Sequence, residues 1–385
     1  HGQYFGGNLL MGAINVKHTG SGAAIALSSD GTSLLLDGTA IGGGGADLYA
    51  ANEVSVTAQP SATGDDAIAI GDSAVASGVN AVASGAFSIA SGTSSFAAGG
   101  GTASGFASLA IGGVSGGGKA VASSDTAIAL GYQASASNFQ AVAIGRESNS
   151  SGDSSLALGR NASAAGSYST SIGQAYASGT DSFAAAISTN SSSYGASGSG
   201  SVAMMNWAKA SGSNSGAIGF GANATGSFAH AFGAQSFATA SSSLALGKQC
   251  QSTADYSTSI GRGAINPIKG SFKFSGSYFS AAGDSQIGMY PLQIDTSDAT
   301  PAVLVTDENT TPGAGTTNQV VLPNNSVYGF TGTIIARENS AQTNDFAVWE
   351  VKGGAVRATG VATTALGSYN INKISESTGA ATWSI

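Results

Sequence analysis

One short pattern of small and large apolar residues recurs along the middle of the chain. It consists of a small residue, a large apolar residue, a small residue, a second large apolar residue and a glycine. The pattern appears as AIALG ending at Gly131, AVAIG ending at Gly145 and SLALG ending at Gly159, so successive copies are 14 residues apart. Further glycines, such as Gly152, divide many repeats into halves of seven residues. A repeat this short and regular predicts a solenoid.

The spacing of the large residues favours strands over helices. Two large residues at i and i+2 lie on one face of a β-strand. A seven-residue coiled-coil repeat needs large apolar residues at two positions and good helix formers elsewhere, whereas a glycine costs a helix about 1 kcal/mol. Each repeat therefore predicts two short strands and two turns, which form one coil of a parallel β-solenoid with coils about 4.8 Å apart.

This pattern assigns each repeat position a place in the coil. The large residues are predicted to form the structural core, while small residues such as Ala157 and Ala245 face outward, where they permit close packing against other copies of the chain. The predicted core residues are Ile68, Ile70, Ile128, Leu130, Val142, Ile144, Leu156, Leu158, Leu244 and Leu246. The predicted turn glycines are Gly71, Gly131, Gly145, Gly159, Gly173, Gly233, Gly247 and Gly261.

The few charges agree with this register. Charged residues make up 9% of the chain, and the net charge is −8. Arg146, Arg160, Lys248 and Arg262 each follow a glycine that closes the pattern, and a turn is where a charge stays hydrated. Because the chain has only 13 lysines and arginines and no basic run, it lacks the electrostatic footprint of a nucleic-acid-binding protein.

Catalytic and ligand-binding motifs are missing from the sequence. It contains no nucleophile elbow, zinc-protease motif or phosphate-binding loop. The acidic residues that could form a glycosidase pair stand in turn-like surroundings that favour solvated loops: Asp284, Asp295, Asp298, Asp307 and Glu308. We therefore predict no catalytic residue, no cofactor and no metal site.

Two single residues receive structural predictions. The lone Cys250 excludes a disulfide within the chain and is predicted to be a small hydrophobic residue or an exposed thiol at a turn. His230 is predicted to be a hydrogen-bonded histidine, either inward or at an interface. No apolar run approaches the roughly 18 residues of a membrane helix, so no membrane insertion is expected.

The flanks of the repeats differ from them in composition. Residues 1–60, which include AAIALSSDGTSLLLDGTAIGG, predict a hairpin with a Ser-Asp-Gly turn in an N-terminal β-rich cap or attachment segment. In residues 266–385, turn signals at Asn324-Asn325, 341–344 and Gly353-Gly354 separate short strands. This spacing predicts an antiparallel β-sandwich-like module, expected to be incomplete because the chain ends on TWSI, a strand-like sequence.

Aromatic residues of the C-terminal module have two interpretations. Exposed aromatic rings can stack on sugars, but filling of the module's core is the favoured role. The residues concerned are Tyr328, Trp349, Tyr369 and Trp383. In FAVWEVK, strand alternation places Ala347, Trp349 and Val351 on one face.

The repeats resemble a known family. DAIAIGDSAVASGVNAVASG (66–85) and SLALGRNASAAGSYSTSIGQAYASGTDS (155–182) are similar to the head repeats of YadA-type trimeric adhesins, over about residues 65–262. The resemblance implies a left-handed parallel β-roll of 14-residue coils, with three chains around one axis, the apolar pair inside and glycine at the turn. The sequence departs from that family after residue 262, because the heptad repeats of the family's coiled-coil stalk do not follow.

A second resemblance concerns residues 319–360. VVLP followed by F-x-G-x-I-I-A-R is similar to the distal modules of phage tail fibres and related virion proteins. This resemblance, together with the missing heptad stretch, favours a virion protein over a bacterial adhesin.

These observations predict an all-β, homotrimeric, non-enzymatic fibre protein with segments 1–60, 61–265 and 266–385. It would be a tail or capsid fibre of a virion that projects a host-attachment surface, with other virion proteins and a host receptor, including glycans, as partners. The alternative is the passenger head of a bacterial trimeric autotransporter adhesin, located at the cell surface. A third hypothesis is a tailspike-like polysaccharide depolymerase.

Overall fold

The chain is described by a computed structural model that divides it into two compact units, residues 1–215 and 216–385. The structure describes the following residues: 14–17, 24–29, 34–36, 39–41, 58–113, 117–186, 193–296, 302–306, 319–320, 322, 324–338, 344–360 and 364–385.

The first unit begins with a four-stranded antiparallel sheet in the order β1-β2-β3-β4. The predicted hairpin is confirmed in its strands, because Leu27 pairs with Leu36 and Ser29 pairs with Leu34. The predicted Ser-Asp-Gly turn lies outside the described residues. The four strands are β1 (Ile14–Lys17), β2 (Ala24–Ser29), β3 (Leu34–Leu36) and β4 (Thr39–Ile41).

The rest of the first unit is a stack of coils. Each coil contributes a short strand of two residues and a longer strand of three or four. In chain order the strands are β5 (Ser61–Ala62), β6 (Ile68–Ile70), β7 (Val75–Ala76), β8 (Val82–Ser84), β9 (Ile89–Ala90), β10 (Phe96–Ala98), β11 (Thr102–Ala103), β12 (Leu109–Ile111), β13 (Val121–Ala122), β14 (Ile128–Leu130), β15 (Ser135–Ala136), β16 (Val142–Ile144), β17 (Asn149–Ser150), β18 (Leu156–Leu158), β19 (Ser163–Ala164), β20 (Thr170–Gly173), β21 (Tyr176–Ala177), β22 (Phe183–Ala186), β23 (Gly195–Ala196), β24 (Val202–Met204) and β25 (Lys209–Ala210).

The strands form two parallel sheets, which confirms the predicted β-solenoid of 14-residue coils. The longer strands, from β6 to β24, form one sheet, and the short strands, from β5 to β25, form the other. The coils stack in register, so that Ala143 pairs with Ala129 on one side and Ala157 on the other. The left-handed sense and the trimer stay predictions.

Glycine occurs in both turns of several coils, for two different reasons. The predicted turn glycines all have positive φ, for example 127° at Gly131 and 126° at Gly159, which only glycine adopts cheaply. The turn prediction is wrong for Gly173, Gly247 and Gly261, which lie at the ends of the strands Thr170–Gly173, Leu244–Lys248 and Thr258–Arg262. In the other turn the backbones of successive coils touch. A Cβ on Gly152 would lie 2.0 Å from the carbonyl oxygen of Gly166, so glycine is favoured at this residue, although the equivalent turns of other coils hold Ser124, Asn138 and Ala240.

The interior of the roll is made of alanine and serine, and the predicted core is wrong. Ala157 is fully buried, whereas Leu158 is 41% exposed. The large residues do share one face of each strand, as predicted, but it is the outer face. This correction applies to Ile68, Ile70, Ile128, Leu130, Val142, Ile144, Leu156, Leu158, Leu244 and Leu246, of which none is buried. The outward placement predicted for Ala157 and Ala245 is likewise wrong, because both are buried.

The closeness of the two sheets explains this reversal. The hydroxyls of Ser252 and Ser259, which face each other across the interior, are 2.8 Å apart. The hydroxyls of Ser150 and Ser155 are 2.6 Å apart. Serine side chains from the two sheets are therefore already in contact in the middle of the roll. Leucine or isoleucine at these positions would force the sheets apart.

The second unit begins with coils of the same kind. Its longer strands again pair in parallel with one another, as do its short strands. The ladder continues past residue 265, where the sequence placed the boundary, to β34, on which β35 pairs antiparallel. The strands are β26 (Gly216–Ile218), β27 (Asn223–Ala224), β28 (His230–Phe232), β29 (Phe237–Ala238), β30 (Leu244–Lys248), β31 (Gln251–Ser252), β32 (Thr258–Arg262), β33 (Ile265–Asn266), β34 (Phe272–Ser275) and β35 (Ile287–Met289).

The C-terminal part of the second unit is one antiparallel sheet of three strands, each 12 residues long. They are β36 (Ser326–Arg337), β37 (Phe346–Arg357) and β38 (Ala365–Glu376), in that order. The predicted antiparallel pairing is confirmed, but among the described residues no second sheet completes a sandwich. The turn predicted at Gly353-Gly354 is wrong, since both glycines lie within β37.

The C-terminal segment covers one face of this sheet. The alternation predicted for β37 is confirmed, because Ala347 and Trp349 are buried on one face. They pack with Ala380, which belongs to the 3-10 helix Thr378–Ala380, and with Trp383. Residues 382–385 do not form the predicted strand. Within the described part of the chain, no helix has the length and apolar character to cross a membrane.

Candidate interaction surfaces

The sheet of longer strands has an apolar outer face. We call "apolar face" the outward side chains of these strands, at the two positions that flank the buried alanine. In β18 these are Leu156 and Leu158, and in β16 they are Val142 and Ile144. Because the strands pair in register, the side chains form two rows along the sheet.

The size of this face distinguishes it from ordinary surface leucines. In the first unit the rows cover ten strands, from β6 to β24, or roughly 40 Å at the usual strand spacing. Ile68, Ile111, Leu158 and Ile172 are each more than a third exposed. A contiguous apolar patch larger than a few hundred Å² marks an interaction site in soluble proteins. The apolar face is therefore a candidate interaction surface.

His230 lies on the outer face of the second unit. Its ring stacks on that of Phe232, with centroids 5.8 Å apart and an angle of 10° between the planes. The side chain is half-buried and outward-facing, so the inward alternative is wrong, whereas the interfacial alternative stays a prediction. Thr170 and Thr258 occupy the same strand position as His230.

Arg146 and Arg160 lie in turns, as predicted, whereas Lys248 and Arg262 are the last residues of strands β30 and β32. Arg146, Arg160, Lys248 and Arg262 are all exposed. Arg146 pairs with the adjacent Glu147 at 2.8 Å and lies 5.7 Å from the ring centroid of Tyr132. Since the pair is exposed, it contributes little to stability.

Cys250 lies inside the roll. Its side chain is buried, and its thiol donates to the carbonyl oxygen of Gly261 at 3.1 Å. Burial raises the pKa of this thiol, so the thiolate is disfavoured. The prediction of a small hydrophobic residue is confirmed, and that of an exposed thiol is wrong.

The acidic residues do not assemble into a site within the described part of the chain. The carboxylate of Asp284 accepts hydrogen bonds from the backbone N–H groups of Phe279, Ser280 and Ala281. These bonds, that from Ala281 first, hold the pKa of Asp284 below its usual value. Asp295 is exposed. No group of metal-ligating side chains occurs among the described residues, and Asp298, Asp307 and Glu308 lie outside them.

The four aromatic residues singled out in the C-terminal module divide into two groups. Trp349 is buried, Trp383 packs against its cluster and Tyr328 is half-buried, as core residues would be. Tyr369 is 60% exposed and lines a shallow depression with Phe330 and Lys352. Only Tyr369 therefore keeps an accessible ring.

Sequence reasoning missed a buried lysine. Lys273 occupies the inward position of β34, paired with Ser259, where other coils have alanine or serine. It is only 3% exposed, and burial lowers the pKa of its ammonium group to about 8. The sequence signal is the alternation F-K-F, which places lysine at the alanine position of the repeat.

Replacement of Lys273 by methionine is expected to stabilise the protein at pH 7. Between pH 8 and 10.5 the native state binds fewer protons than the unfolded chain, so wild-type stability rises with pH. Lys273→Met removes this dependence and raises the free energy of unfolding by up to about 3 kcal/mol below pH 8. Urea unfolding at pH 7, 8, 9 and 10, at one protein concentration, measures the difference.

The matched control for this prediction is Lys248→Met, at the exposed C-terminal end of β30. The gap between Lys273→Met and the wild type should narrow as the pH rises, whereas the gap for Lys248→Met should stay nearly constant. Parallel pH profiles for all three proteins would show that Lys273 is hydrated in the native state.

Comparison with known families agrees with the coils. A family model described as YadA head domain repeat (2 copies) matches residues 62–88, 76–102, 122–148, 150–175, 224–249 and 238–264. Each matched window spans about two coils and lies within the solenoid strands. The comparison with curated proteins gave no match. The predicted resemblance to YadA head repeats is confirmed.

Proposed function

We propose, on the premise that the chain carries YadA head domain repeats, that it is a non-enzymatic homotrimeric fibre protein that presents an attachment surface. The observation that carries this proposal is the apolar face. In a single chain, Leu158 and its equivalents are outside the alanine core and exposed to water. Burying such residues is worth about 25 cal/mol per Å² of apolar surface, and contact with the same face of other copies supplies that burial.

The narrow interior supports the same proposal. Alanine and serine bury little apolar area, so one coil stack gains little from its own core. Solenoids of this kind depend on contacts beyond the single repeat. Three chains that share their large outward residues would make a second, larger hydrophobic core between them.

The placement we favour is a tail or capsid fibre of a virion, where the chain would contact other virion proteins and a receptor on the host cell. The match to YadA head repeats equally favours a second candidate, the passenger head of a bacterial trimeric adhesin at the cell surface. Both require a trimer and both require an exposed recognition surface.

Two measurements test the proposal. Light scattering after size exclusion should give three times the chain mass of 37.2 kDa, and a monomer at all concentrations would contradict it. Immunogold electron microscopy of native material, with antibodies against this chain, should label fibres on particles for the virion placement and cell surfaces for the adhesin. Release of reducing sugar from a bound polysaccharide would instead support the depolymerase.

A further inference from the structure

One edge of the roll carries exposed aromatic rings at regular intervals. We call "aromatic edge" the row of turns that lead from each short strand to the next longer strand. In the first unit these turns carry Phe106, Phe139 and Tyr168, and in the second unit they carry Phe228 and Tyr256. The five side chains are between 46 and 62% exposed. A regular row of exposed rings differs from the singly scattered apolar residues that are normal on protein surfaces.

In the first unit one turn separates each aromatic residue from the next. The turn with Asp125 lies between Phe106 and Phe139, and the turn with Asp153 lies between Phe139 and Tyr168. Backbone hydrogen bonds link these turns in order: Thr126 N to Phe106 O (2.7 Å), Gln140 N to Asp125 O (3.0 Å), Ser154 N to Phe139 O (2.8 Å) and Tyr168 N to Asp153 O (2.8 Å). The aromatic residues therefore repeat every second coil, roughly 10 Å apart.

The second unit repeats this spacing. Ser242 N donates to Ser227 O at 2.8 Å, and Tyr256 N donates to Ser241 O at 3.0 Å. One serine-bearing turn thus separates Phe228 from Tyr256, as one aspartate-bearing turn separates the rings of the first unit.

The turns themselves do not call for aromatic residues. Tyr168, Phe228 and Tyr256 have φ of 57°, 56° and 58°, a left-handed conformation that is strained for bulky side chains. Equivalent turns hold Asn80 and Asn214 in the same conformation, and asparagine adopts it more readily. The aromatic side chains at these positions are therefore better explained by contact with a ligand than by the needs of the turn.

The intervening turns are polar. Asp125 and Asp153 alternate with the rings, and one carboxylate oxygen of Asp125 accepts the N–H of Phe106 at 3.0 Å. In this arrangement each flat apolar ring is flanked by hydroxyl or carboxylate groups one coil away. A protein partner would favour a continuous apolar centre with a polar rim, which this alternation does not provide.

We propose that the aromatic edge of each unit binds an extended β-1,4-linked polysaccharide that runs along the coils of that unit. In such a polysaccharide the rise per sugar is close to the spacing between two adjacent coils. Successive sugars are rotated by about half a turn about the chain axis, so every second sugar presents the same apolar face to the protein. Every second sugar would stack on an aromatic ring, while the hydroxyls of the sugars between would bond to Asp125, Asp153 or Ser241. This inference names a ligand class for the attachment function proposed above and rests on it.

Native affinity electrophoresis of the full chain tests the inference. The probes are hydroxyethyl cellulose and a soluble glycol chitin, both β-1,4-linked, with dextran as the polysaccharide of different linkage. We expect retardation by at least one β-1,4-linked probe and none by dextran. Phe139→Ser and Tyr168→Ser should each weaken retardation up to about tenfold, whereas Tyr132→Ser, on the opposite turns, should leave it unchanged.

A variant with altered spacing of the aromatic residues distinguishes binding that depends on this spacing from nonspecific binding to exposed aromatic rings. Phe139→Ser combined with Asp153→Phe keeps the number of aromatic residues but moves one ring by a single coil. Polysaccharide binding should fall as in Phe139→Ser alone. Equal retardation of this double variant and the wild type would overturn the proposal, as would no retardation of the wild type in either β-1,4-linked gel.

Two further outcomes identify other roles. If Phe139→Ser reduces the trimer fraction in light scattering, the edge is a contact between copies and the proposal fails. If the protein forms trimers and attaches to its particle or cell, but Phe139→Ser and Tyr168→Ser change neither polysaccharide binding nor attachment, the fibre function stands and the glycan site is wrong.

Discussion

The replacement of Gly152 by alanine is expected to lower the free energy of unfolding by about 1 to 3 kcal/mol. The added Cβ would lie 2.0 Å from the carbonyl oxygen and 2.4 Å from the carbonyl carbon of Gly166. Because the colliding atoms are backbone, no side-chain rotation relieves the contact. The coils would have to separate, which would also strain the hydrogen bonds that hold them in register.

The stack offers no easy relaxation for this clash. Gly166 itself lies against the next coil, since a Cβ on Gly166 would be 2.1 Å from the carbonyl oxygen of Gly179. If the coil that contains Gly166 moves to relieve the clash, the next coil must therefore move as well. The loss of stability should appear as a lower midpoint in thermal and urea unfolding followed by circular dichroism.

Gly332→Ala is the matched control. A Cβ on Gly332, in β36, would meet nothing within 4 Å, so this substitution should change stability by no more than about 0.5 kcal/mol. Equal effects of the two substitutions would mean that glycine in the coil turns serves chain flexibility rather than close contact between coils.

The repeat period was sufficient to predict the strands, the turns and the parallel stacking, because these depend only on local spacing. It was not sufficient to predict which face is inside. The rule that large apolar residues are buried assumes an interior wide enough for them, and the 2.8 Å contact between Ser252 and Ser259 shows that this one is not. The sequence did contain a signal: the central small residue varies less between repeats than its large neighbours, which include Thr170 and His230.

The glycine pair at 353–354 misled the turn prediction for a related reason. A glycine pair indicates a turn when no packing contact requires glycine. Here the aromatic side chains of neighbouring strands require it. A Cβ on Gly353 would lie 2.8 Å from the ring of Phe330 and 2.9 Å from the Cβ of Tyr369. The glycine makes room for neighbouring strands in the middle of β37, and this requirement becomes visible only when the pairing of the three strands is known.

The aromatic edge could not be predicted from the repeat pattern either. Its members do not share one repeat position, because Phe139 precedes the left-handed residue of its turn whereas Tyr168 occupies it. Coils that depart from 14 residues also shift the spacing between Phe106 and Phe139 along the chain. Only the hydrogen-bonded order of the turns shows that these residues alternate with polar ones.

Leu158→Asp is expected to abolish trimer formation while leaving the coils folded. Leu158 is 41% exposed in the single chain and belongs to the apolar face, so an aspartate there is hydrated in a monomer. In the proposed trimer the same aspartate would be an unpaired buried charge, which costs several kcal/mol at each of three equivalent places. Light scattering should give the monomer mass, with the circular dichroism of β-structure retained.

The adjacent residue provides the opposite result and thus the control. Ala157 points into the roll and is fully buried, so Ala157→Asp places its charge where the two sheets nearly touch and should prevent the coil from folding at all. We therefore expect Leu158→Asp to prevent assembly without preventing folding, and Ala157→Asp to prevent folding. If Leu158→Asp yields soluble trimers, the apolar face is not the interface between chains. If Ala157→Asp folds and Leu158→Asp does not, the leucine side of the strand is the core, and the alanine interior is wrong.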